Sequence, residues 1–91
     1  MGYRVEIAPL AQRQLRKLER ATQLRLIERM EALGANPRPA GTKKLAGGES
    51  LYRIRVGEYR VIYQVRDQVL TVLAAPHLAH PSPFQAQAQQ V

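Results

Sequence analysis

The stretch from residue 51 to residue 64, LYRIRVGEYRVIYQ, limits the possible folds of this chain more than any other. Two runs rich in Tyr, Ile, Val and Arg flank Gly57 and Glu58, which is the pattern of a β-hairpin with a two-residue turn. Glycine suits the first position of a type II′ turn, because that position needs a positive φ that other residues enter only at a cost. The sequence therefore predicts a hairpin whose register is set by its turn.

This register separates the side chains of the hairpin into two faces. Side chains alternate along a strand, so one face is apolar and aromatic. That face consists of Tyr52, Ile54, Val56, Tyr59, Val61 and Tyr63. We expect it to pack in the core, and we assign its tyrosines to packing rather than to catalysis. The opposite face, called the arginine face below, carries Arg53, Arg55 and Arg60 and is expected to be exposed to solvent.

The arginine face has two interpretations. Like charges directly opposite each other destabilise a strand pair by some tenths of a kcal/mol, and Glu49 and Glu58 are the acidic residues close by in the sequence. The face is either a solvated surface that keeps the protein soluble or a preorganised anion site. The second interpretation is favoured because planar guanidinium groups match phosphate oxygens bidentately. Three of them on a rigid hairpin suit a polynucleotide better than a small anion.

Charge and composition narrow the classes of function. The 91 residues carry a net charge of +7, and residues 34–66 hold seven Lys and Arg against two Glu. Such a basic patch is typical of a nucleic-acid binder, although an acidic protein partner would also fit it. The absence of Cys excludes disulfides and thiolate metal sites, and no apolar run is long enough for a membrane span. A cytoplasmic protein is the expected class.

The residues before the hairpin predict a strand and two helices. Residues 3–7 alternate apolar and charged side chains, as a half-buried strand does. Helical spacing then predicts an antiparallel helical hairpin with a short break near Ala21, Thr22 as the second N-cap and Gly34 at the C′ position. Its apolar stripes consist of Ala11, Leu15, Leu18, Leu26, Met30 and Leu33. Two prolines and a glycine exclude regular structure over residues 36–44.

The complete element order predicts the fold. Residues 69–75 are nearly all apolar, which indicates a central strand after the hairpin. The order β-α-α-β-β-β predicts an α+β sandwich, with an antiparallel-rich twisted sheet and a two-helix hairpin on one face. We expect a single domain over residues 1–84. Residues 85–91 form a short uncharged Ala/Gln tail that is either a loose helix or disordered.

The hairpin and the loop before it resemble a known family. A strand, two basic helices, a K-K-L-x-G-G loop and the run LYRIRVGEYRVIYQV resemble the RelE/ParE superfamily of toxins from bacterial type II toxin–antitoxin modules, over about residues 3–75. The resemblance implies the small α+β sandwich predicted above. Toxins of the RelE branch are endoribonucleases that cleave mRNA in the ribosomal A site. Toxins of the ParE branch share the fold but poison DNA gyrase.

The RelE branch implies roles for particular residues of this chain. Arg53 and Arg55 match the two basic positions that line the active site, and Arg60 matches the arginine that holds the scissile phosphate. The implied reaction is attack of an RNA 2′-OH on the adjacent phosphate, which needs no metal or other cofactor. Lys43 and Lys44 either extend the basic surface as RNA-binding residues or are ordinary loop lysines.

The residues that would move protons are less typical of the family. RelE-like chains commonly end with Arg or His and then Tyr or Phe, but this chain has neither Arg nor Tyr after Ala75. His80 and Phe84 resemble the version with a histidine and an aromatic residue, which implies His80 as general acid and Phe84 as a base-stacking residue. His77 competes with His80 for the acid role and otherwise binds RNA. The alternative for each histidine, less favoured here, is a surface loop residue without a catalytic or binding role.

Three functions follow, favoured in this order. The first is a ribosome-dependent mRNA endoribonuclease, the second is a ParE-like gyrase inhibitor without nuclease chemistry, and the third is a weakened toxin that still binds antitoxin. The resemblance implies a cognate antitoxin encoded beside the toxin. If the toxin is an mRNA endoribonuclease, mRNA and the ribosome are further partners. The charge of this chain predicts that the antitoxin segment covering it is acidic.

Overall fold

The computed structural model describes residues 2–46 and 50–79. Along these residues the chain forms β1 (Arg4–Ile7), α1 (Pro9–Arg16), α2 (Arg20–Ala32), β2 (Lys43–Lys44), β3 (Leu51–Val56), β4 (Tyr59–Arg66) and β5 (Val69–Ala74). Neither helix is long and apolar enough to cross a membrane. The predicted α+β fold is confirmed.

The strands form one mixed sheet in the order β1-β5-β4-β3-β2. β1 pairs with β5 in parallel, and the other neighbours pair antiparallel. β5 therefore lies inside the sheet, as its apolar sequence predicts. β2 is an additional strand, so the expectation of no regular structure over residues 36–44 is wrong at Lys43 and Lys44. These two residues follow the prolines and the glycine of the loop, and their backbone groups are free to pair with the edge of β3.

The predicted register of the hairpin is confirmed. Val56 pairs with Tyr59, Arg55 with Arg60, and the pairing continues to Leu51 opposite Gln64. The backbone of Gly57 has a φ of +60°, as the first position of the predicted turn requires. The turn therefore places the apolar residues and the arginines on the faces that the sequence predicts.

The core lies between the apolar face of the hairpin and the helices. The predicted helix residues Ala11, Leu15, Leu26, Met30 and Leu33 are buried, together with Ile54, Val56, Val61, Tyr63, Leu70 and Val72. The Tyr63 ring stacks on that of Tyr52, with the centroids 5.8 Å apart. The Tyr63 hydroxyl donates a hydrogen bond of 2.5 Å to the carbonyl oxygen of Pro37. Tyr63 therefore ties the sheet to the loop between α2 and β2.

The break between the helices lies earlier than predicted. α2 begins at Arg20 with Glu19 as its N-cap, and the Glu19 side chain makes no capping hydrogen bond. The predictions of a break near Ala21 and of Thr22 as N-cap are therefore wrong. Glu19 has an extended backbone, and its carbonyl oxygen already accepts a helical hydrogen bond of 2.9 Å from Gln23 N–H. The helix is thus started by backbone geometry rather than by a capping side chain.

Gly34 follows the C-cap Leu33, as predicted, but for a packing reason. Its carbonyl oxygen accepts a hydrogen bond of 2.7 Å from Tyr3 N–H, which joins the end of α2 to the start of β1. A Cβ atom on Gly34 would lie 2.9 Å from a methyl carbon of Val5 and 3.0 Å from the Tyr3 carbonyl oxygen. Only glycine allows this close approach.

Replacing Tyr63 with Phe tests the connection between the sheet and the loop. The substitution keeps the ring but leaves the Pro37 carbonyl without its donor, so we expect the free energy of unfolding to fall by about 1 kcal/mol. Urea denaturation at neutral pH measures this difference. An unchanged midpoint would show that water replaces the hydroxyl without cost.

The same variant should change the stability at alkaline pH. Burial raises the pKa of the Tyr63 phenol above the ordinary value of 10.0, and a hydrogen bond with Thr42 opposes part of that rise. The unfolded chain therefore loses the phenolic proton first as the pH rises. The stability that the neutral phenol supplies is complete below pH 10 and is lost as the pH rises through the raised pKa. Tyr63→Phe should show a shallower alkaline loss of stability than the parent, and equal slopes would contradict this assignment.

Candidate functional site

The arginine face is exposed to different extents along its length. Arg55 is exposed and Arg53 is half-buried, but Arg60 retains only 5% of its surface. The expectation that Arg60 is exposed to solvent is therefore wrong. The cause is the chain after β5, residues 75–79, which returns to the tip of the hairpin and packs beside β4. We call residues 75–79 the C-terminal segment.

The C-terminal segment holds Arg60 through backbone carbonyl groups. The backbone N–H of Arg60 donates a hydrogen bond of 2.9 Å to the carbonyl oxygen of Pro76. Its guanidinium Nη2 donates a hydrogen bond of 3.2 Å to the carbonyl oxygen of His77. Arg60 is therefore a fixed cation at the edge of the arginine face, oriented by the chain that covers it.

A basic cleft lies on the exposed part of the arginine face. It has a volume of about 260 Å³ and is lined by Gly41, Lys43, Arg53, Arg55 and Leu78. Lys43 lies directly opposite Arg53 in the pairing of β2 with β3, so both side chains belong to the same face of the sheet. Arg55 Nε donates a hydrogen bond of 3.0 Å to the carbonyl oxygen of Gly57, which orients its guanidinium group. Three cationic side chains thus converge on one concave surface.

The chemistry available to this cleft is anion binding and charge stabilisation. Guanidinium groups remain charged at any physiological pH, so they bind phosphate oxygens well and transfer protons poorly. Among the described residues that line the cleft, no side chain is a carboxylate or an imidazole. The cleft therefore accounts for the binding half of the predicted site.

The structure does not place the other predicted site residues in the part of the cleft lining that it describes. Lys44 lies opposite Tyr52, which places it on the other face of the sheet from Lys43, and the cleft lining does not include it. His77 lies at the tip of the hairpin and is not in the cleft lining either. His80 and Phe84 lie outside the described residues. The structure thus brings together Lys43, Arg53 and Arg55 in one cleft, with Arg60 held beside them.

The imidazole ring of His77 makes several contacts at the hairpin tip. It packs edge-to-face on the Tyr59 ring, with centroids 5.1 Å apart and an interplanar angle of 88°. Its Nδ1 accepts a hydrogen bond of 3.0 Å from Ala79 N–H. Its Nε2 lies 3.8 Å from a carboxylate oxygen of Glu58. The ring therefore contacts both the hairpin and its own segment.

Two residues of the cleft were not identified from the sequence. Leu78 is aliphatic and has no chemical signal of its own, although it directly follows His77. Gly41 has a φ of +92°, and the prolines before it indicate a turn at this place. A signal for the burial of Arg60 was present in Ile62, an apolar residue that the register puts on the arginine face opposite Arg53 and that is 1% exposed.

Comparison with known proteins identifies the family of this chain. Residues 5–77 match the family model described as ParE toxin of the type II toxin–antitoxin system, parDE. The chain belongs to this family. It is a toxin of the RelE/ParE type, and the superfamily expected from the hairpin motif is confirmed. Comparison with curated proteins gave no match.

Solved structures of RelE toxins have the same fold. The toxin is similar to a chain of the archaeal RelE–RelB complex from Pyrococcus horikoshii, with 34% identity, a TM-score of 0.76, and coverage of 89% of this chain and 100% of that one. It is also similar to the free E. coli toxin RelE with two arginines replaced by alanine, with 26% identity, a TM-score of 0.76 and coverage of 99% and 97%. The RelBE2 complex from Mycobacterium tuberculosis matches at 26% identity and a TM-score of 0.73, with coverage of 85% and 99%.

The different burial of Arg60 and Arg55 predicts different effects on stability. Arg60→Ala removes a buried side chain and leaves the His77 carbonyl without this donor, so we expect the free energy of unfolding to fall by about 2 kcal/mol. Arg55→Ala changes an exposed side chain and should alter it by no more than about 0.5 kcal/mol. Urea denaturation of the two variants beside the parent measures both effects. Equal losses would contradict the structural role of Arg60.

Proposed function

We propose that this toxin is an endoribonuclease that cleaves mRNA at the ribosome without a metal ion. The observation that carries the proposal is the basic cleft, where Lys43, Arg53 and Arg55 converge on a volume of about 260 Å³. A polynucleotide presents successive phosphates, and a concave surface with several fixed cations binds them more strongly than a flat one.

The reaction fits what these side chains offer. An RNA 2′-OH attacks the adjacent phosphate, which yields a 2′,3′-cyclic phosphate and a free 5′-OH. The protein has to hold the nucleophile in line and stabilise the charge that develops on the phosphoryl oxygens. Arg53 and Arg55 serve as bidentate phosphate ligands, and Lys43 supplies a third positive charge beside them. Arg60, buried opposite Arg55, adds a positive charge that water screens little.

We assign proton transfer to residues that follow the C-terminal segment in the sequence. His80 is the proposed general acid that protonates the leaving 5′ oxygen, and Phe84 is the proposed residue that stacks on a base. This assignment rests on the resemblance of the His80–Phe84 spacing to the RelE pattern. It is consistent with a described cleft that supplies charge but no group suited to proton transfer at neutral pH.

A second candidate function is inhibition of DNA gyrase. It is favoured by the ParE toxin family match over residues 5–77 and by the absence of a proton-transferring group among the described cleft residues. The RelE structures matched over most of their length, and the cations grouped in the cleft, favour the ribonuclease. A weakened toxin that retains only antitoxin binding is the third candidate.

Cleavage of a translated reporter message tests the proposed activity. Primer extension in a cell-free translation reaction should show cuts within codons, and only in message that is being translated. Arg53→Ala and Arg55→Ala should each reduce cleavage by about 100-fold, because each removes a cation that stabilises the transition state. Arg16→Ala is the matched control, since it removes an equal charge from the exposed surface of α1 and should cleave like the parent.

Negative results in this experiment distinguish the remaining candidate functions. An uncut message combined with inhibition of gyrase supercoiling would establish the ParE-like function instead. An uncut message and an unaffected gyrase would indicate a toxin that retains only antitoxin binding. Equal loss in Arg16→Ala and Arg55→Ala would indicate that total charge, rather than the cleft, determines activity.

We also propose that a cognate antitoxin with an acidic segment covers the arginine face. The similar toxins from P. horikoshii and M. tuberculosis are in complexes with their antitoxins. The cleft cations supply the electrostatic attraction. A separate apolar groove of about 240 Å³ offers an anchor for apolar antitoxin side chains. It is lined by Arg29, Ala32, Leu33, Asn36, Pro39, Ile54, Val56 and Val61.

The salt dependence of antitoxin binding separates these two contributions. Charge pairs that face solvent are screened over roughly 8 Å at physiological ionic strength, so we expect the affinity to fall appreciably as salt is raised. Titration calorimetry at several salt concentrations measures this. An affinity that does not change with salt would show that the apolar groove dominates binding.

A further inference from the structure

We propose that His77 is a positioning residue that shapes the cleft rather than a residue that contacts RNA. Its imidazole ring holds the C-terminal segment on the tip of the hairpin. The segment in turn orients the Arg60 guanidinium group and places Leu78 in the wall of the cleft. This inference rests on the proposed function, because it assigns His77 a part in building the RNA site.

The backbone of the C-terminal segment pairs with the hairpin tip like a short strand. His77 forms a β-bridge with Tyr59, and Leu78 N–H donates a hydrogen bond of 2.8 Å to the carbonyl oxygen of Glu58. The Pro76 carbonyl accepts the backbone N–H of Arg60 at 2.9 Å. This pairing places the His77 carbonyl 3.2 Å from Arg60 Nη2. The guanidinium group is therefore oriented by the main chain of the segment.

The ring of His77 locks that pairing in two ways. Its Nδ1 accepts the N–H of Ala79, two residues later, which closes a local turn as the side-chain oxygen of Asn or Asp does. Its edge-to-face contact with Tyr59 fixes the turn on the hairpin. The acceptor role of Nδ1 requires that the neutral ring carries its proton on Nε2, the atom that faces the Glu58 carboxylate. One side chain thus joins the turn to the strand.

The locked turn determines what fills the wall of the cleft. Leu78 lies between the bridged His77 and the turn at Ala79, and its side chain lines the cleft together with Lys43, Arg53 and Arg55. An aliphatic wall keeps water from one side of the cations and strengthens their attraction for an anion. Release of the segment would remove this wall and the acceptor of Arg60 together.

Two substitutions separate the roles of the ring and of its acceptor atom. His77→Phe keeps an aromatic ring against Tyr59 but cannot accept the Ala79 N–H, whereas His77→Asn keeps an acceptor for that N–H but loses the ring. Glu58→Gln is the control, because it removes the charge that faces Nε2 and leaves the Glu58 carbonyl in place. All three are made in the full chain, and thermal melting verifies that each one folds.

Amide hydrogen exchange and the NMR signals of the Arg60 guanidinium group give the direct readout. In His77→Phe we expect the amides of Leu78 and Ala79 to exchange about tenfold faster, the effect of losing roughly one hydrogen bond, and the Arg60 signal to shift. His77→Asn should restore the slow exchange of Ala79, and Glu58→Gln should match the parent. Unchanged exchange and an unchanged Arg60 signal in His77→Phe would overturn the proposal.

The kinetics of RNA cleavage then distinguish positioning from contact. A misplaced Arg60 guanidinium group stabilises the transition state less. His77→Phe should therefore lower kcat with little change in KM. A higher KM with parent-like exchange would show that His77 contacts RNA, which overturns the proposal. If the parent does not cleave RNA, the proposed function fails, and the exchange and guanidinium readouts still decide the role of His77.

The parent protein alone offers a test that does not depend on any variant folding. The nitrogen chemical shifts of the neutral His77 ring report which of its two nitrogens carries the proton. We expect the tautomer protonated at Nε2. A neutral ring protonated at Nδ1 could not accept the Ala79 N–H, and that result would overturn the proposal.

Discussion

The two-residue turn at Gly57 is the constraint on which the rest of the structure depends. It sets the register of β3 and β4, and that register decides which side chains enter the core and which form the cleft. A shift of one residue would exchange the two faces of a strand, moving Tyr63 out of the core and Arg60 into it. The stacking of Tyr52 on Tyr63 and the grouping of the arginines on the opposite face therefore both follow from the register that the turn sets.

β4 serves the core and the candidate site at the same time. Tyr63 anchors the loop that leads to Lys43, through the hydrogen bond from its hydroxyl to Pro37, and Arg60 carries a charge on the opposite face. Burial of a guanidinium group costs free energy unless its donors are satisfied. The carbonyl of His77 offsets part of that cost and also prevents the group from moving. A cation fixed before substrate arrives needs little reorganisation when charge develops.

The sequence predicts those features of the fold that are determined by residues close together in the chain. The hairpin register, the helical stripes and the position of Gly34 follow from turn chemistry and periodicity, which act within a few residues. The burial of Arg60 depends on the C-terminal segment, which begins 15 residues after it and whose sequence, Ala-Pro-His-Leu-Ala, carries no periodic signal. The place of Leu78 within that segment depends on its pairing with the hairpin tip. β2 was missed because two residues are too few for a strand pattern. The start of α2 was misplaced because the backbone of Glu19, rather than a capping side chain, begins it.

The parallel pairing of β1 with β5 has a consequence for the order in which the toxin is made. β1 is synthesised before its partner strand Val69–Ala74, which follows about 65 residues later in the chain. At about 5–20 residues per second, the ribosome needs several seconds to make the residues between them. The sheet cannot close until β5 emerges, and the C-terminal segment that fixes Arg60 and Leu78 follows it. The basic cleft therefore forms only after β5 and the C-terminal segment have been made, so a chain that lacks them carries the arginines without the arrangement that makes them a site. Long-range pairing of this kind couples formation of the site to the synthesis of β5 and of the segment after it.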